Sequence, residues 1–210
     1  VCSSDLGSAG ERCMAVSVVV AVGDIADPLV EAIRVRMEKL VIGPGDDPAS
    51  EMGPLITAEH RDRVAGYIES GSTDGADVVV DGRAQAFDGG GFFLGVSLLD
   101  RVTTDMSVYR DEVFGPVLSV VRSDSYAEAV KLIDDNPYGN GAAIFTRDGG
   151  AARQFQGDVE AGMVGINKGC GGASGTPWVG AKQSGYGYHS GRDGHRQFAQ
   201  LRVISEMRGA

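Results

Sequence analysis

The sequence predicts an α/β fold in which amphipathic helices alternate with short strands of a mainly parallel sheet. The first observation is a valine-rich run from Met14 to Val22, bounded by Gly23 and Asp24, which is typical of a buried strand. The second is the alternation of such runs with helical patterns, as expected where helices connect parallel strands. The third is the content of 32 glycines, which indicates many tight turns between elements.

Capping residues mark the first two helices. Asp27 is expected to cap a helix that carries Pro28 in its first turn and ends before Gly43. A second helix is predicted to begin near Thr57, whose hydroxyl can accept a backbone N–H, and to stop at Gly71.

Short strands and two more helices follow. Ser125 and Glu128 form a capping box that opens a helix ending at Asn136, and another helix is predicted from about residue 150 to 159. The strands predicted around these helices share a short apolar run, and they are residues 78–80, 117–121, 142–145 and 163–166.

The C-terminal segment is apolar and extended from Phe198 to Met207. It follows a long glycine-rich loop and cannot easily join the main sheet in sequence order, so we expect a separate small sheet, with an exposed strand that pairs between subunits. Residues 1–6 match nothing that follows and are expected to be a non-native scar. The expected organisation is therefore this scar, a cysteine-bearing domain at 7–190 and a C-terminal segment at 191–210.

Composition and charge exclude several classes of function. The net charge of −10 disfavours nucleic-acid binding. The longest apolar stretch, from Met14 to Gly23, is half of the roughly 20 residues that a membrane helix needs, and no basic segment precedes an apolar run as in a signal peptide. Three cysteines are too few for a disulfide framework, so the cytoplasm is expected.

The three histidines lack zinc-ligand spacing, so no metal is expected, and His60 is expected to be a solvated helix residue.

Cys13 is the strongest candidate for a reactive group. It lies where a stretch of small residues meets the first apolar run, a position that favours partial exposure of the thiol. Arg12 places a positive charge beside it, which can favour a thiolate or pair with a substrate carboxylate. The alternative is a buried structural cysteine, because cysteine is among the residue types most often buried.

A second candidate segment contains Glu112 and Phe114, directly before the strand at 117–121. A glutamate there can accept hydrogen bonds from a ribose diol, and the phenylalanine can pack on a flat heterocycle. The alternative is a strand-entry turn with a core aromatic residue.

Together with four further motifs, these segments resemble the aldehyde dehydrogenase family. The motifs follow the family's order within residues 7–206, and they are Gly-Glu-Arg-Cys (10–13), Met-Gly-Pro-Leu-Ile (52–56), Glu-Val-Phe-Gly-Pro (112–116), Asn-Pro-Tyr-Gly (136–139), Gly-Met-Val-Gly-Ile-Asn (162–167) and Lys-Gln-Ser-Gly-Tyr-Gly (182–187). The resemblance implies a three-layer catalytic domain, NAD as cofactor and a homo-oligomer.

The resemblance also assigns roles to residues. Cys13 would be the nucleophile, Glu112 would bind the nicotinamide ribose, Phe114 would pack near the nicotinamide ring, and Asn167 would border the substrate tunnel. The Cys13 thiolate would add to the aldehyde, with the oxyanion held partly by the Cys13 backbone N–H, and hydride transfer to NAD would leave a thioester.

Within this family the sequence around Cys13 resembles the methylmalonate-semialdehyde dehydrogenase branch, which passes its acyl group to coenzyme A. In that branch Arg12 would contact a substrate carboxylate. The residues after Asn167 depart from the branch, because residues 168–178 are glycine-rich where the branch is proline-rich. A non-acylating enzyme that releases the free acid is therefore an alternative.

No strand followed by a glycine-rich helix start and a downstream acid is recognisable, so we expect no dinucleotide-binding unit within these 210 residues. In the family the cofactor domain, an oxyanion-binding asparagine and a general-base glutamate precede the cysteine, and here twelve residues precede it. We therefore expect a fragment that does not oxidise aldehydes alone. Two other readings stay open: a cysteine hydrolase or acyltransferase that uses Cys13, and an inactive remnant that binds another subunit.

Overall fold

The computed structural model describes most of the chain as two compact units. The described residues are 7–88, 90–170, 175–207 and 209, so the predicted scar at 1–6 lies outside them. One unit extends to Leu132 and the other begins at Ile133. The expected boundaries, 7–190 and 191–210, stay predictions. No helix in the described ranges is both long and apolar enough to cross a membrane.

The first unit is built on a four-stranded sheet. Its elements are β1 (Val18–Val22), α1 (Ala26–Met37), α2 (Ala58–Asp74), β2 (Asp77–Val80), β3 (Ser97–Asp100), α3 (Ser107–Arg110) and β4 (Val117–Ser123). The strand order is β1-β4-β3-β2, with β4 parallel to both neighbours and β2 antiparallel to β3. The predicted α/β class with a mainly parallel sheet is confirmed.

The core of this unit lies around β3 and β4. All four residues of β3 are buried, and Leu98 and Leu99 are completely inaccessible. Val64 and Ile68, one helical turn apart on α2, belong to the same buried cluster. The sequence analysis missed β3, because Ser-Leu-Leu-Asp lacks both the alternation and the β-branched residues that indicate a strand.

Two predictions for the first strand and helix are wrong in detail. β1 begins at Val18 rather than at Met14. Asp27 does not cap α1, which begins at Ala26. The carboxylate of Asp27 instead lies 2.7 Å from the guanidinium of Arg122 on β4. Asp27 therefore pairs with a residue distant in sequence and does not cap its own helix.

The second helix begins as predicted but ends later. The Thr57 hydroxyl accepts a hydrogen bond from the backbone N–H of His60 at 3.1 Å, which confirms the cap. The helix continues through Gly71 and terminates at Gly75, whose φ of 107° is left-handed. Gly71 permits close packing rather than ending the helix, because a Cβ there would lie 2.5 Å from Leu99 Cδ2.

The division between the two units falls within helix α4 (Tyr126–Asp135), so the second unit begins with the last residues of this helix. Ser125 caps α4 as predicted, since its hydroxyl accepts from the N–H of Glu128 at 3.2 Å. The second bond of the predicted capping box differs, because the Glu128 carboxylate accepts from the N–H of Asp124 rather than from that of Ser125. Later elements are β5 (Gly141–Ile144), α5 (Gly149–Asp158), β6 (Met163–Ile166), β7 (Trp178–Val179) and β8 (Tyr188–His189). β5 and β6 pair in parallel and form a two-stranded sheet.

A small sheet does form near the C-terminus, but from other residues than predicted. It pairs β7 with β8. Residues 199–207 form no strand, and Leu201, Val203, Ile204 and Met207 are more than four-fifths exposed. Pairing of this segment with another subunit stays a prediction.

A partly buried ion pair connects the C-terminal ends of the two central strands, β3 and β4. The Arg122 guanidinium donates to both carboxylate oxygens of Asp100, at 3.1 and 2.6 Å. Burial raises the pKa of Asp100, but hydrogen bonds from Arg122 and from the backbone N–H of Arg101, together with both positive charges, outweigh burial and hold that pKa below its ordinary value. The pair therefore stabilises the fold while Asp100 is ionised.

We expect Asp100→Asn to lower the free energy of unfolding by about 1–3 kcal/mol at pH 7, because a charge-assisted bond is lost. A lowered folded-state pKa means that this contribution is complete above the ordinary aspartate pKa and disappears as pH falls through the folded-state value. Urea unfolding at a series of pH values measures the difference. Asp77→Asn is the control, because Asp77 faces Asp100 across the strands but its ion pair with Arg101 is exposed. Equal losses in both variants would contradict the assignment.

Candidate active site

The segment before Cys13 has an unusual backbone. Ser8, Ala9 and Gly10 have φ values of 58°, 54° and 75°, all in the left-handed region. A turn closed by the bond from Ala15 N–H to Arg12 C=O, 3.0 Å long, then leads toward β1. Cys13 lies in this turn and is exposed, which argues against the alternative of a buried structural cysteine.

The loop that carries Cys13 touches the second candidate segment through two glycines. A Cβ on Gly10 would lie 2.2 Å from the carbonyl oxygen of Gly115, so the two backbones are in direct contact. No larger residue than glycine fits at position 10 without moving one of these segments. The structure therefore brings the Cys13 loop and the segment 112–116 together.

Exposure alternates along the second segment. Glu112 and Phe114 are exposed, whereas Val113 and Gly115 are buried. Phe114 has φ of 55°, an uncommon conformation for an aromatic residue, and 36% of it is exposed. The alternative of a core aromatic residue is therefore wrong. The buried residues attach the segment to the unit and leave a carboxylate and an aromatic ring at the surface.

One face of α2 supports this segment. A Cβ on Gly115 would lie 2.6 Å from both Cγ atoms of Val64, so this face packs tightly against the segment. The Tyr67 hydroxyl donates to the Asp111 carboxylate at 3.1 Å. Burial, with the bond to Asp111 and its charge, raises the pKa of Tyr67, so the hydroxyl stays a donor at neutral pH.

His60 is a further contact that the sequence analysis missed. The expectation of a solvated residue is wrong, because the side chain is 16% exposed and its Nε2 lies 2.7 Å from the carbonyl oxygen of Phe114. The same nitrogen lies 3.4 Å from a carboxylate oxygen of Glu11, two residues before Cys13. The only sequence signal was its place in the first turn of a helix that follows a family motif.

Arg12 lies next to Cys13 in sequence, and one hydrogen bond partly fixes the orientation of its guanidinium. Its Nε donates to the Ser8 hydroxyl at 2.9 Å, and the residue is exposed. Because a guanidinium has five N–H donors in a planar fork, this bond leaves most of the fork for another acceptor.

The second unit contains Asn167, at the end of β6. Asn167 is exposed, its φ is 54°, and its Oδ1 accepts from the backbone N–H of Thr146 at 2.8 Å. This bond connects the ends of β5 and β6, a structural role that the sequence did not predict. A role at the substrate tunnel stays a prediction.

Two other family motifs in this unit are structural partners. Lys182 Nζ donates to three carbonyl oxygens at the end of α4, those of Ile133, Asp134 and Asn136, at 2.8–3.3 Å. The Ser184 hydroxyl accepts from the N–H of Gly139 at 3.0 Å. These contacts join the motifs at 136–139 and 182–187 in the folded chain. Across the described part of the chain, no three potential ligands are grouped as a metal site.

The comparisons with known proteins agree on one family. The aldehyde dehydrogenase family model matches residues 1–204. Malonate-semialdehyde dehydrogenase of Pseudomonas aeruginosa is 54% identical over 164 residues, which are 77% of this chain and 33% of that protein. Malonate-semialdehyde dehydrogenase 1 of Geobacillus thermodenitrificans is 44% identical over 209 residues, 98% of this chain and 43% of that protein.

Solved structures give the same result. A putative methylmalonate-semialdehyde dehydrogenase from Sinorhizobium meliloti, complexed with NAD, superposes with a TM-score of 0.93 at 42% identity, covering 99% of this chain and 44% of that one. Methylmalonate-semialdehyde dehydrogenase from Oceanimonas doudoroffii has a TM-score of 0.90 at 43% identity, covering 97% and 44%. The chain thus spans less than half the length of these relatives.

Proposed function

This chain belongs to the aldehyde dehydrogenase family, and we propose that it forms the cysteine-bearing part of an NAD-dependent enzyme that oxidises a carboxylate-bearing semialdehyde. The observation that supports this proposal most directly is the backbone contact between the Cys13 loop and the segment with Glu112 and Phe114. The relatives named malonate-semialdehyde dehydrogenase support the substrate class, and the Sinorhizobium meliloti structure with NAD supports the cofactor.

The exposed groups of the second segment fit a nicotinamide ribose. The Glu112 carboxylate has acceptor oxygens for two ribose hydroxyls, and the exposed ring of Phe114 offers an apolar surface for a heterocycle. When bound, NAD⁺ supplies the acceptor for the hydride that aldehyde oxidation releases. Glu112 and Phe114 would hold and orient it.

The chemistry of the chain's own residues follows from Cys13 and Arg12. The Cys13 thiolate adds to the carbonyl carbon, and the new C–S bond persists in the thioester left after oxidation. The Arg12 guanidinium, held at Nε by Ser8, pairs with the substrate carboxylate through its remaining N–H groups. A second nucleophile then attacks the thioester, and the Cys13 thiolate leaves.

Coenzyme A is the second nucleophile that the sequence around Cys13 favours, and the product is then an acyl thioester of coenzyme A. Hydrolysis to the free acid is the competing outcome, since residues 168–178 depart from the acylating branch. Coenzyme A should accelerate NADH formation in the first case and leave it unchanged in the second.

The proposal also includes a homo-oligomeric assembly and a cytoplasmic location for the enzyme. The exposed apolar side chains of Leu201, Val203 and Ile204 support pairing of residues 199–207 with another subunit and thus a homo-oligomer. A reaction that needs a reduced thiol suits the cytoplasm. The inactive-remnant reading would keep the same pairing but predicts no reaction at Cys13.

Acetylation with p-nitrophenyl acetate tests Cys13. In a Cys2→Ser background, we expect the 210-residue chain and its Cys170→Ser variant to gain one acetyl group on the peptide containing Cys13, because this thiol is exposed whereas Cys170 is half-buried. Cys13→Ser should lose this adduct. Mass spectrometry of the peptides measures it, and equal acetylation of the two single variants would contradict the assignment.

Substrate discrimination tests Arg12. In the full-length enzyme, Arg12→Gln should lower kcat/KM for malonate semialdehyde about 10- to 100-fold, the loss expected for a charged hydrogen-bonded pair. Propionaldehyde, which lacks the carboxylate, should be affected little. Arg36→Gln, an exposed change on α1, is the control. Equal losses for both aldehydes would show that Arg12 acts on Cys13 rather than on the substrate.

A further inference from the structure

We propose that His60 is a positioning residue that fixes the carbonyl of Phe114 and thereby sets the cofactor-facing ring relative to the Cys13 loop. This inference rests on the proposed function, because it assigns His60 a role in cofactor binding. His60 lies in the first turn of α2, next to its Thr57 cap. Its imidazole reaches both candidate segments, at Phe114 and at Glu11.

The partners of the imidazole define which nitrogen carries the proton. Arg63 Nη2 lies 3.1 Å from His60 Nδ1, and a guanidinium can only donate. Nδ1 therefore accepts, and the proton is on Nε2. The Nε2–H then donates to the Phe114 carbonyl at 2.7 Å, and Glu11 Oε1, 3.4 Å away, is a longer second acceptor. Arg63 thus selects the tautomer that can hold Phe114.

The held carbonyl belongs to a strained residue. Phe114 has φ of 55°, where a residue with a side chain is disfavoured. Such a conformation persists only where neighbouring contacts impose it, and the His60 bond holds the carbonyl group of this same residue. Val64 clamps the next residue, Gly115. Without the His60 bond, we expect Phe114 to relax toward negative φ, which would turn its ring.

The Glu11 contact extends the same network to the nucleophile loop. The Glu11 side chain is 8% exposed, and its Oε1 lies 3.4 Å from both His60 Nε2 and the backbone N of Ile56. Glu11 is two residues from Cys13, yet its contact to His60 is longer than the bond to Phe114. Loss of His60 should therefore affect the cofactor segment more than the thiol.

The experiment uses the full-length enzyme with His60→Ala, His60→Phe and His60→Gln. Ala and Phe remove the donor, whereas Gln retains an N–H donor near the position of Nε2. We expect KM for NAD to rise about three- to tenfold in the Ala and Phe variants, as for one lost hydrogen bond. The acetylation rate of Cys13 should change less than about twofold, and Gln should restore KM. Glu59→Gln, exposed in the same helical turn, is the control.

The outcomes separate the two proposals. A wild-type enzyme that forms no NADH from NAD and malonate semialdehyde, with or without coenzyme A, would overturn the proposed function. An active wild type whose KM for NAD is unaltered by His60→Phe would overturn this inference alone. Parallel losses of acetylation and NAD binding in all three variants, without rescue by Gln, would also overturn it, because they indicate a general structural role.

Discussion

The architecture of the candidate site depends on the contact between the backbones of Gly10 and Gly115. A side chain at Gly10 would overlap the Gly115 carbonyl, with its Cβ 2.2 Å from the oxygen, so the two segments approach as closely as backbones can. This close approach is accompanied by backbone strain, because Ser8, Ala9 and Gly10 all have φ values in the left-handed region. Strain of this kind is retained where the surrounding structure imposes it, and here it places Cys13 in an exposed turn beside the segment with Phe114.

The rest of the first unit holds this contact in place. Buried strands β3 and β4 carry the Asp100–Arg122 ion pair, and β4 begins directly after the segment 112–116. On helix α2, Val64 packs against Gly115, and His60 forms a hydrogen bond with the Phe114 carbonyl. Core packing and hydrogen bonding thus act on the same short segment, which explains how exposed functional groups keep a defined geometry.

The fold class and some local features, such as two helix caps, could be predicted from the sequence, whereas specific side-chain contacts between distant residues could not. The Thr57 cap could be predicted because the acceptor, the Thr57 hydroxyl, and the donor, the His60 N–H, lie only three residues apart in sequence. β3 was missed because burial on all sides leaves no alternating pattern. The role of His60 was missed because its partner is 54 positions away in sequence. Lys182 was matched to a family motif, but its three carbonyl partners at and just after the end of α4 could only be found in the folded chain.

Substitution of Gly10 tests the central claim most directly, with Gly23→Ala as the matched control. Both glycines have positive φ, but a Cβ on Gly23 meets nothing within 4 Å. Gly23→Ala should therefore cost about 1 kcal/mol of stability through backbone strain and leave activity intact. In the full-length enzyme, Gly10→Ala should lower kcat/KM for NAD-dependent oxidation about a hundredfold, because the nucleophile loop is displaced from the cofactor segment. A Gly10→Ala enzyme as active as Gly23→Ala would contradict the account.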